Sequence, residues 1–495
     1  MNVLVIEADQ LSAKWLACYG APAASTPNLD ALAAQGVRFT NCVINHPVCM
    51  PSRASTMTGR SAQHHGVFYN GWELGPEAHT FPRVLQQAGV QTLGVGKFHL
   101  ECHGRSAYND VRKYGFDRAE VTEDIRAGDW LDWVEREHPD CFTAALATVW
   151  PLPHLEHYGP RDRNLLAEIR AARQSFPLRI SAHEAVPTPI PEKACQTHWV
   201  VDRALALLRE RDERRPFFLK VSFVDPHDPY DPPPRFLDLI AEPRVPTPVR
   251  SGDANLSHVL ARFGVVPFVA QFRGTTEADW RRLRRHYLAS TAFVDEQVGR
   301  LLKYLTRSGL DRDTAVVFTS DHGDMLGDHG LPTKGAWHFD ACFRVPLLVR
   351  APGLVAGRIE AQMVNNLDLF PTVLDLAGVP CQVPVEGRSL LPLLRDTGSL
   401  DRPQAALVES YGSYANQDLA LRARTVVTPA ARLTLFGDGA GMLFDLRHDP
   451  DETTNLFGRP AAASLTAELK DLLLDLLARQ NNPLPSRNRH PFAQH

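Results

Sequence analysis

Residues 2–9 read Asn-Val-Leu-Val-Ile-Glu-Ala-Asp. Val3, Leu4, Val5 and Ile6 are consecutive apolar positions, the pattern of a strand covered on both faces. The run closes on Asp9 and Gln10, polar groups at the point where the chain would leave a sheet. Three later runs repeat the pattern: 91–96 (QTLGVG), 216–224 (PFFLKVSFV) and 313–319 (DTAVVFT). Between them lie helical stretches. Residues 26–36 (TPNLDALAAQG) read as a helix with Thr26 as N-cap, Pro27 in the first position and Gly36 at the end. A long amphipathic helix is predicted over about 280–308. Such alternation specifies an α/β fold, with a large, mostly parallel sheet flanked by helices.

Two regions break the rhythm. Residues 120–195 carry Trp and Pro clusters without a clean βαβ unit, and 225–275 are rich in Pro. Both read as insertions above the sheet, where loops carry specificity. After about residue 385 the pattern changes again, with short strands near 405–411 and 419–437 and an amphipathic helix at 463–479. The expected division is a catalytic unit over 1–385 and a smaller C-terminal α+β unit over 386–495. The polar, proline-bearing end (RQNNPLPSRNRHPFAQH) reads as a tail that crosses to a second subunit, so a homo-oligomer is expected.

The chain has 495 residues, 44% apolar and 22% charged, which excludes wholesale disorder. Lys+Arg (53) nearly balances Asp+Glu (57), which argues against a dedicated nucleic-acid binder. No run is long and apolar enough for a membrane span, and the first residues lack the features of a signal peptide, so a cytoplasmic location is expected. The eight cysteines are scattered without CxxC pairs and read as thiols.

The chemistry collects where the strands end. Asp9 and Gln10, Lys97 and His99, Asp225 and His227, and Asp321 and His322 all follow apolar runs. In open parallel sheets, ligands bind beyond the carboxyl ends of the strands. Asp9, Gln10, Asp321 and His322 supply oxygen and imidazole donors, which suit a divalent ion; the imidazole tilts the set towards Mn²⁺ and leaves Ca²⁺ open. Asp324 and Asp328 read as turn residues.

The most specific run is Cys49-Met50-Pro51-Ser52-Arg53, followed by Thr58-Gly59-Arg60. Residues after Pro51 look helical, which sets Cys49 near a helix N-terminus that favours an anion. This run resembles the signature of the type I sulfatases, within the alkaline-phosphatase-like superfamily. The resemblance implies that Cys49 is oxidised to formylglycine by a formylglycine-generating enzyme. Gly96-Lys97-Phe98-His99 is similar to the family's Gly-Lys-x-His, and Ser320-Asp321-His322-Gly323 to its second metal pair. His227 resembles the substrate-side histidine, Lys334 the second sulfate-binding lysine, and Asn70 a substrate-contacting amide. Asp9-Gln10 resembles the first metal pair, which is more often Asp-Asp. LFDLRHDPDETTNLF (443–457) resembles the C-terminal hallmark.

The resemblance implies one divalent cation held by Asp9, Gln10, Cys49, Asp321 and His322, with Arg53, Lys97, His99, His227 and Lys334 as the remaining catalytic groups. It implies hydrolysis of an aryl or small-molecule sulfate ester. Phosphonate monoester and phosphodiester hydrolases share the modifiable cysteine and the Asp-Gln and Asp-His pairs; Lys97 and His99 favour the sulfate ester. A non-catalytic binding protein is the third reading, disfavoured because every motif position is filled.

Overall fold

The computed structural model describes residues 1–159, 162–176, 185–400, 403–412 and 418–480. The expected tail contact falls in 481–495, outside the described residues. Fourteen strands occur among them: β1 Asn2–Ala8, β2 Val37–Phe39, β3 Cys42–Val43, β4 Gln91–Gly96, β5 Arg118–Val121, β6 Phe217–Phe223, β7 Thr314–Ser320, β8 Leu347–Arg350, β9 Arg358–Glu360, β10 Val364–Asn365, β11 Ala406–Tyr411, β12 Arg422–Val427, β13 Ala431–Phe436 and β14 Gly441–Asp445.

Eight of them form one sheet in the order β5-β4-β6-β1-β7-β8-β2-β9. The five from β5 to β7 are parallel, so their carboxyl ends share one edge. β8 runs antiparallel to both β7 and β2. This is the α/β architecture the apolar runs specify. Alternate residues of β1 serve opposite faces: Leu4, Ile6 and Ala8 join one core, Val3 and Val5 the other. Each such fully buried Val, Leu or Ile stabilises the fold by about 1.5–3 kcal/mol.

The helix after β1 spans Pro27–Ala34, close to expectation, but its ends work differently. Thr26 makes no side-chain cap; its hydroxyl accepts from Ala17 N–H and donates to Asp30. Gly36 is needed for close approach, since a Cβ there would lie 2.3 Å from the Val349 carbonyl oxygen. The long helix runs Glu277–Arg307 and opens with a capping box between Thr276 and Asp279.

The two irregular regions are more ordered than a loop reading implies. Residues 120–195 contain the helices Asp129–Glu137 and Leu165–Ser175, and bury Trp130, Leu131, Val134 and Ile169 in the main core. In 225–275, Leu256, Phe263 and Val266 pack with Trp337, Ala423 and Phe436 against the C-terminal sheet. That sheet is antiparallel in the order β11-β12-β13-β14, with the helix Ala463–Arg479 packed on it through Leu469 and Leu473. The stretch 419–437 holds two strands rather than one.

Candidate active site

β1 lies between β6 and β7 at the centre of the sheet, and delivers Asp9 and Gln10 to the shared edge. β4, β6 and β7 bring Lys97 and His99, His227, and Asp321 and His322 to the same place. The helix Cys49–Thr58 starts there, and all ten of its residues are buried. Gly96 makes the turn after β4 possible. Its φ is +100° and a Cβ would sit 1.8 Å from the Ser222 carbonyl oxygen. Lys97 N–H donates to that oxygen at 2.9 Å.

At the centre, Cys49 Sγ lies 3.0 Å from His322 Nε2. Burial alone would raise the thiol's pKa, but the neighbouring Lys334, His322 and Lys97 bring it well below its ordinary value. His322 Nδ1–H donates to the Gly323 carbonyl at 2.9 Å, which turns Nε2 towards Sγ and Asp9 Oδ1, 3.6 Å away. A backbone acceptor behind an imidazole is the usual way to orient a metal-ligating histidine. Asp9 Oδ1 has no hydrogen-bond donor. Asp9, Cys49, Asp321 and His322 each offer a ligand atom, all within 4.8 Å of one another. This donor set fits a divalent cation. Burial depresses the His322 pKa, but Asp321 and the Cys49 side chain reverse the effect and take it up to about 9.

Gln10 follows Asp9 directly, and its backbone N–H already donates to Asp321 Oδ1. Its amide oxygen accepts from Lys334 Nζ, and its Nε2 donates to Asp324 Oδ2 at 2.5 Å and Asp228 Oδ1 at 3.3 Å. Asp324 is thus fully buried beneath Gln10 and also accepts from Tyr230 at 2.7 Å, well beyond a turn role. Asp328 is buried too, and pairs with Lys14 and Arg284.

Arg53 faces the carboxylates. Its Nε lies 2.7 Å from Asp321 Oδ2, Nη1 2.7 Å from Glu7 Oε1, and Nη2 3.3 Å from Asp9 Oδ2. Nη1 also donates to the Lys97 carbonyl at 2.9 Å and Ser222 Oγ at 3.0 Å. Asp321 is held further by N–H donors of Gln10 (3.0 Å) and His322 (2.9 Å). Beneath this cluster, Glu7 of β1 pairs with Lys220 of β6, both 2% exposed.

Lys97 Nζ contacts Asp9 Oδ2 at 2.5 Å and Asp124 Oδ2 at 2.9 Å. His227 Nδ1–H donates to the Asp228 carbonyl at 2.6 Å, and its Nε2 meets Lys334 Nζ. His99 takes a positive φ of 46° and stacks on His103. Burial, then the nearby His103 and Lys97 cations, lower its pKa to about 4, which leaves it neutral and able to accept a proton. Asn70 accepts the Met50 N–H at 3.0 Å, which sets it at the first turn of the Cys49 helix. The structure thus gathers Asp9, Cys49, Arg53, Lys97, His99, His227, Asp321, His322 and Lys334 around one point. Sequence reasoning missed Glu7, Lys220, Glu123 and Asp124, and read Asp324 only as a turn residue. A charge inside an all-apolar strand was the available signal for Glu7 and Lys220; the others carried none. No disulfide joins any of the eight cysteines among the described residues.

A family model described as Sulfatase matches residues 1–379, and one described as N-sulphoglucosamine sulphohydrolase, C-terminal, matches 327–479. An arylsulfatase of Clostridium perfringens is 29% identical, over 92% of this chain and 90% of that protein. A choline-sulfatase of Rhizobium meliloti is 30% identical, over 94% and 85%. The crystal structure of a phosphonate monoester hydrolase of Agrobacterium radiobacter superposes with a TM-score of 0.80 at 25% identity, over 97% and 96%. No helix among the described residues is long and apolar enough to cross a membrane. The chain belongs to the sulfatase family, within the alkaline-phosphatase-like superfamily, and is a sulfuric ester hydrolase.

Proposed function

We propose that the protein hydrolyses an aryl or small-molecule sulfate ester through a formylglycine gem-diol at position 49. The observation that carries this reading is the convergence of Lys97, His99, His227 and Lys334 on a buried Cys49 whose Sγ lies 3.0 Å from His322. A thiol among so many cations has no packing rationale. Asp9, Asp321, His322 and residue 49 would hold a divalent cation, Ca²⁺ or Mn²⁺, with Gln10 at its rim. When bound, that ion supplies Lewis acidity, which spreads charge on sulfuryl oxygens and acidifies a nearby hydroxyl.

The chain's own residues do the rest. One hydroxyl of the diol attacks sulfur and forms an S–O bond, while its proton passes to the Asp321 carboxylate. Lys97 and Lys334 neutralise charge on the equatorial oxygens. The bond from sulfur to the leaving oxygen breaks, and His227 protonates that oxygen; its Lys334 contact and the Asp228 carbonyl fix its orientation. A sulfo-enzyme intermediate remains. His99 then takes the proton of the second hydroxyl, the C–O bond to sulfate breaks, and the aldehyde returns. The Trp150 ring centroid lies 6.3 Å from that of His227, a neighbour consistent with a ring-bearing alcohol as leaving group.

Mass spectrometry of the tryptic peptide containing residue 49 tests the chemistry: the aldehyde lowers its mass by about 18 Da relative to the thiol. An unmodified peptide in protein from the native host refutes it. The phosphonate monoester or phosphodiester reading remains the alternative, supported by the Agrobacterium radiobacter likeness. Matched aryl sulfate and aryl phosphonate substrates decide between them; a larger kcat/KM for the phosphonate overturns the sulfate assignment.

A further inference from the structure

Glu123 and Asp124 follow β5 and are 2% and 4% exposed. Glu123 Oε1 accepts the backbone N–H groups of Phe98 (3.2 Å) and His99 (3.0 Å), and Oε2 lies 3.1 Å from His103 Nε2. Asp124 Oδ1 lies 2.9 Å from His103 Nδ1, while Oδ2 reaches Lys97 Nζ at 2.9 Å and His227 Nε2 at 3.8 Å. The His103 ring lies on the His99 ring, with centroids 3.8 Å apart and planes 8° from parallel. Both ring nitrogens of His103 face carboxylates, so both carry protons.

These side chains could be read as a second metal site, since His99, His103 and Glu123 group their donor atoms. The stacking argues against that. Ring lone pairs lie in the ring plane, so two parallel imidazoles do not aim at one point, and both His103 nitrogens are already committed. The arrangement has a different logic. His99 holds a left-handed backbone conformation, which costs a residue with a Cβ about 1–3 kcal/mol. Glu123 secures that turn by accepting two successive N–H groups. His103, itself pinned at both nitrogens, walls one face of the His99 ring. Asp124 joins the same unit to Lys97.

We propose that Glu123, Asp124 and His103 form a positioning assembly that fixes the His99 imidazole and the Lys97 ammonium against residue 49. This rests on the functional reading above, in which His99 acts after sulfuryl transfer. Misplacing a reacting group by about 1 Å costs about a hundredfold in rate.

The test uses full-length matured enzyme with 4-nitrophenyl sulfate in a rapid-quench instrument. His99→Ala should release one equivalent of nitrophenol per site in a burst and then stall. His103→Ala should also burst, with kcat lowered about ten- to hundredfold and KM changed less than about threefold. His103→Phe, which keeps a stacked ring, should recover part of that kcat. Asp124→Asn should raise KM through Lys97. If His99→Ala bursts while His103→Ala behaves as wild type, the assembly is refuted and the functional reading stands. If His103→Phe recovers nothing, the stacking role is refuted. If folded His99→Ala gives no burst, the reading itself fails and takes the assembly with it. Should His103→Ala not fold, the same burst and kcat readings on His103→Phe and Glu123→Gln decide: wild-type behaviour in both refutes the assembly.

Discussion

Replacing Arg53 with alanine isolates the electrostatics beneath the site. Arg53 is 1% exposed and bridges Glu7, Asp9 and Asp321, with further hydrogen bonds to the Lys97 carbonyl and Ser222 Oγ. Its loss leaves three buried carboxylates with Lys97, Lys220 and the His322 imidazole as the remaining cationic groups in contact. Removing one partner from a buried pair costs about 3–5 kcal/mol, and the two lost backbone and hydroxyl contacts keep the figure at the upper end. The sign with pH follows from Glu7. Burial opposes its ionisation, but Arg53 and Lys220 outweigh burial and hold its pKa below the ordinary 4.5. Stability from such a group is present above that value and is lost as pH falls through the folded pKa. The Arg53→Ala deficit is therefore largest near neutrality and narrows below about pH 4.5. Urea unfolding followed by tryptophan fluorescence reads it, with a midpoint shift of about 1 M or more at neutral pH. A deficit under about 1 kcal/mol, the value of an exposed ion pair, refutes the reasoning. So does a deficit that does not change with pH.

Chelation of the purified enzyme should abolish turnover and lower the thermal midpoint by several degrees, with both restored by adding back Mn²⁺ or Ca²⁺; an unmoved midpoint argues against a cation at Asp9, Asp321 and His322. Gly96→Ala should cost about 3 kcal/mol or more, because the added methyl meets the Ser222 carbonyl oxygen and must displace Lys97; thermal melting checks it. Burial would lower the His103 pKa, but Asp124 and Glu123 raise it to about 10. Its contribution is thus complete below the unfolded value of about 6.5 and fades as pH rises to 10. The stability gap between wild type and His103→Gln should shrink across that window, and a gap that grows contradicts the assignment.

Much of the fold was legible because β1, β4, β6 and β7 are apolar on both faces, and a continuous run such as Val3–Ile6 suits little besides a strand covered on each side. The short strands β2, β5 and β9 were not legible. They are three or four residues long and exist only because a partner lies alongside: β8 and β9 beside β2, β4 beside β5, and β2 beside β9. The site was legible wherever a motif marks it, as at Cys49 and Lys97. Gln10 shows the limit: its place in the chain points to the site, but its amide contacts to Lys334 and Asp324 are set across more than 300 residues and no local pattern announces them. Glu123 and Asp124 escaped for a similar reason. Nothing local separates two acidic residues after a short strand from a solvated turn.

The depth of Cys49 also fixes an order of events. An oxidising enzyme must bind the Cys49–Arg53 stretch in its own cleft, yet in the finished molecule every residue of that helix is enclosed and Arg53 is locked to three carboxylates. Under the proposed chemistry, conversion has to happen while this segment is still extended, before β1 and β7 close around it. Maturation is then a race with folding, and a molecule that folds first keeps its sulfur for life.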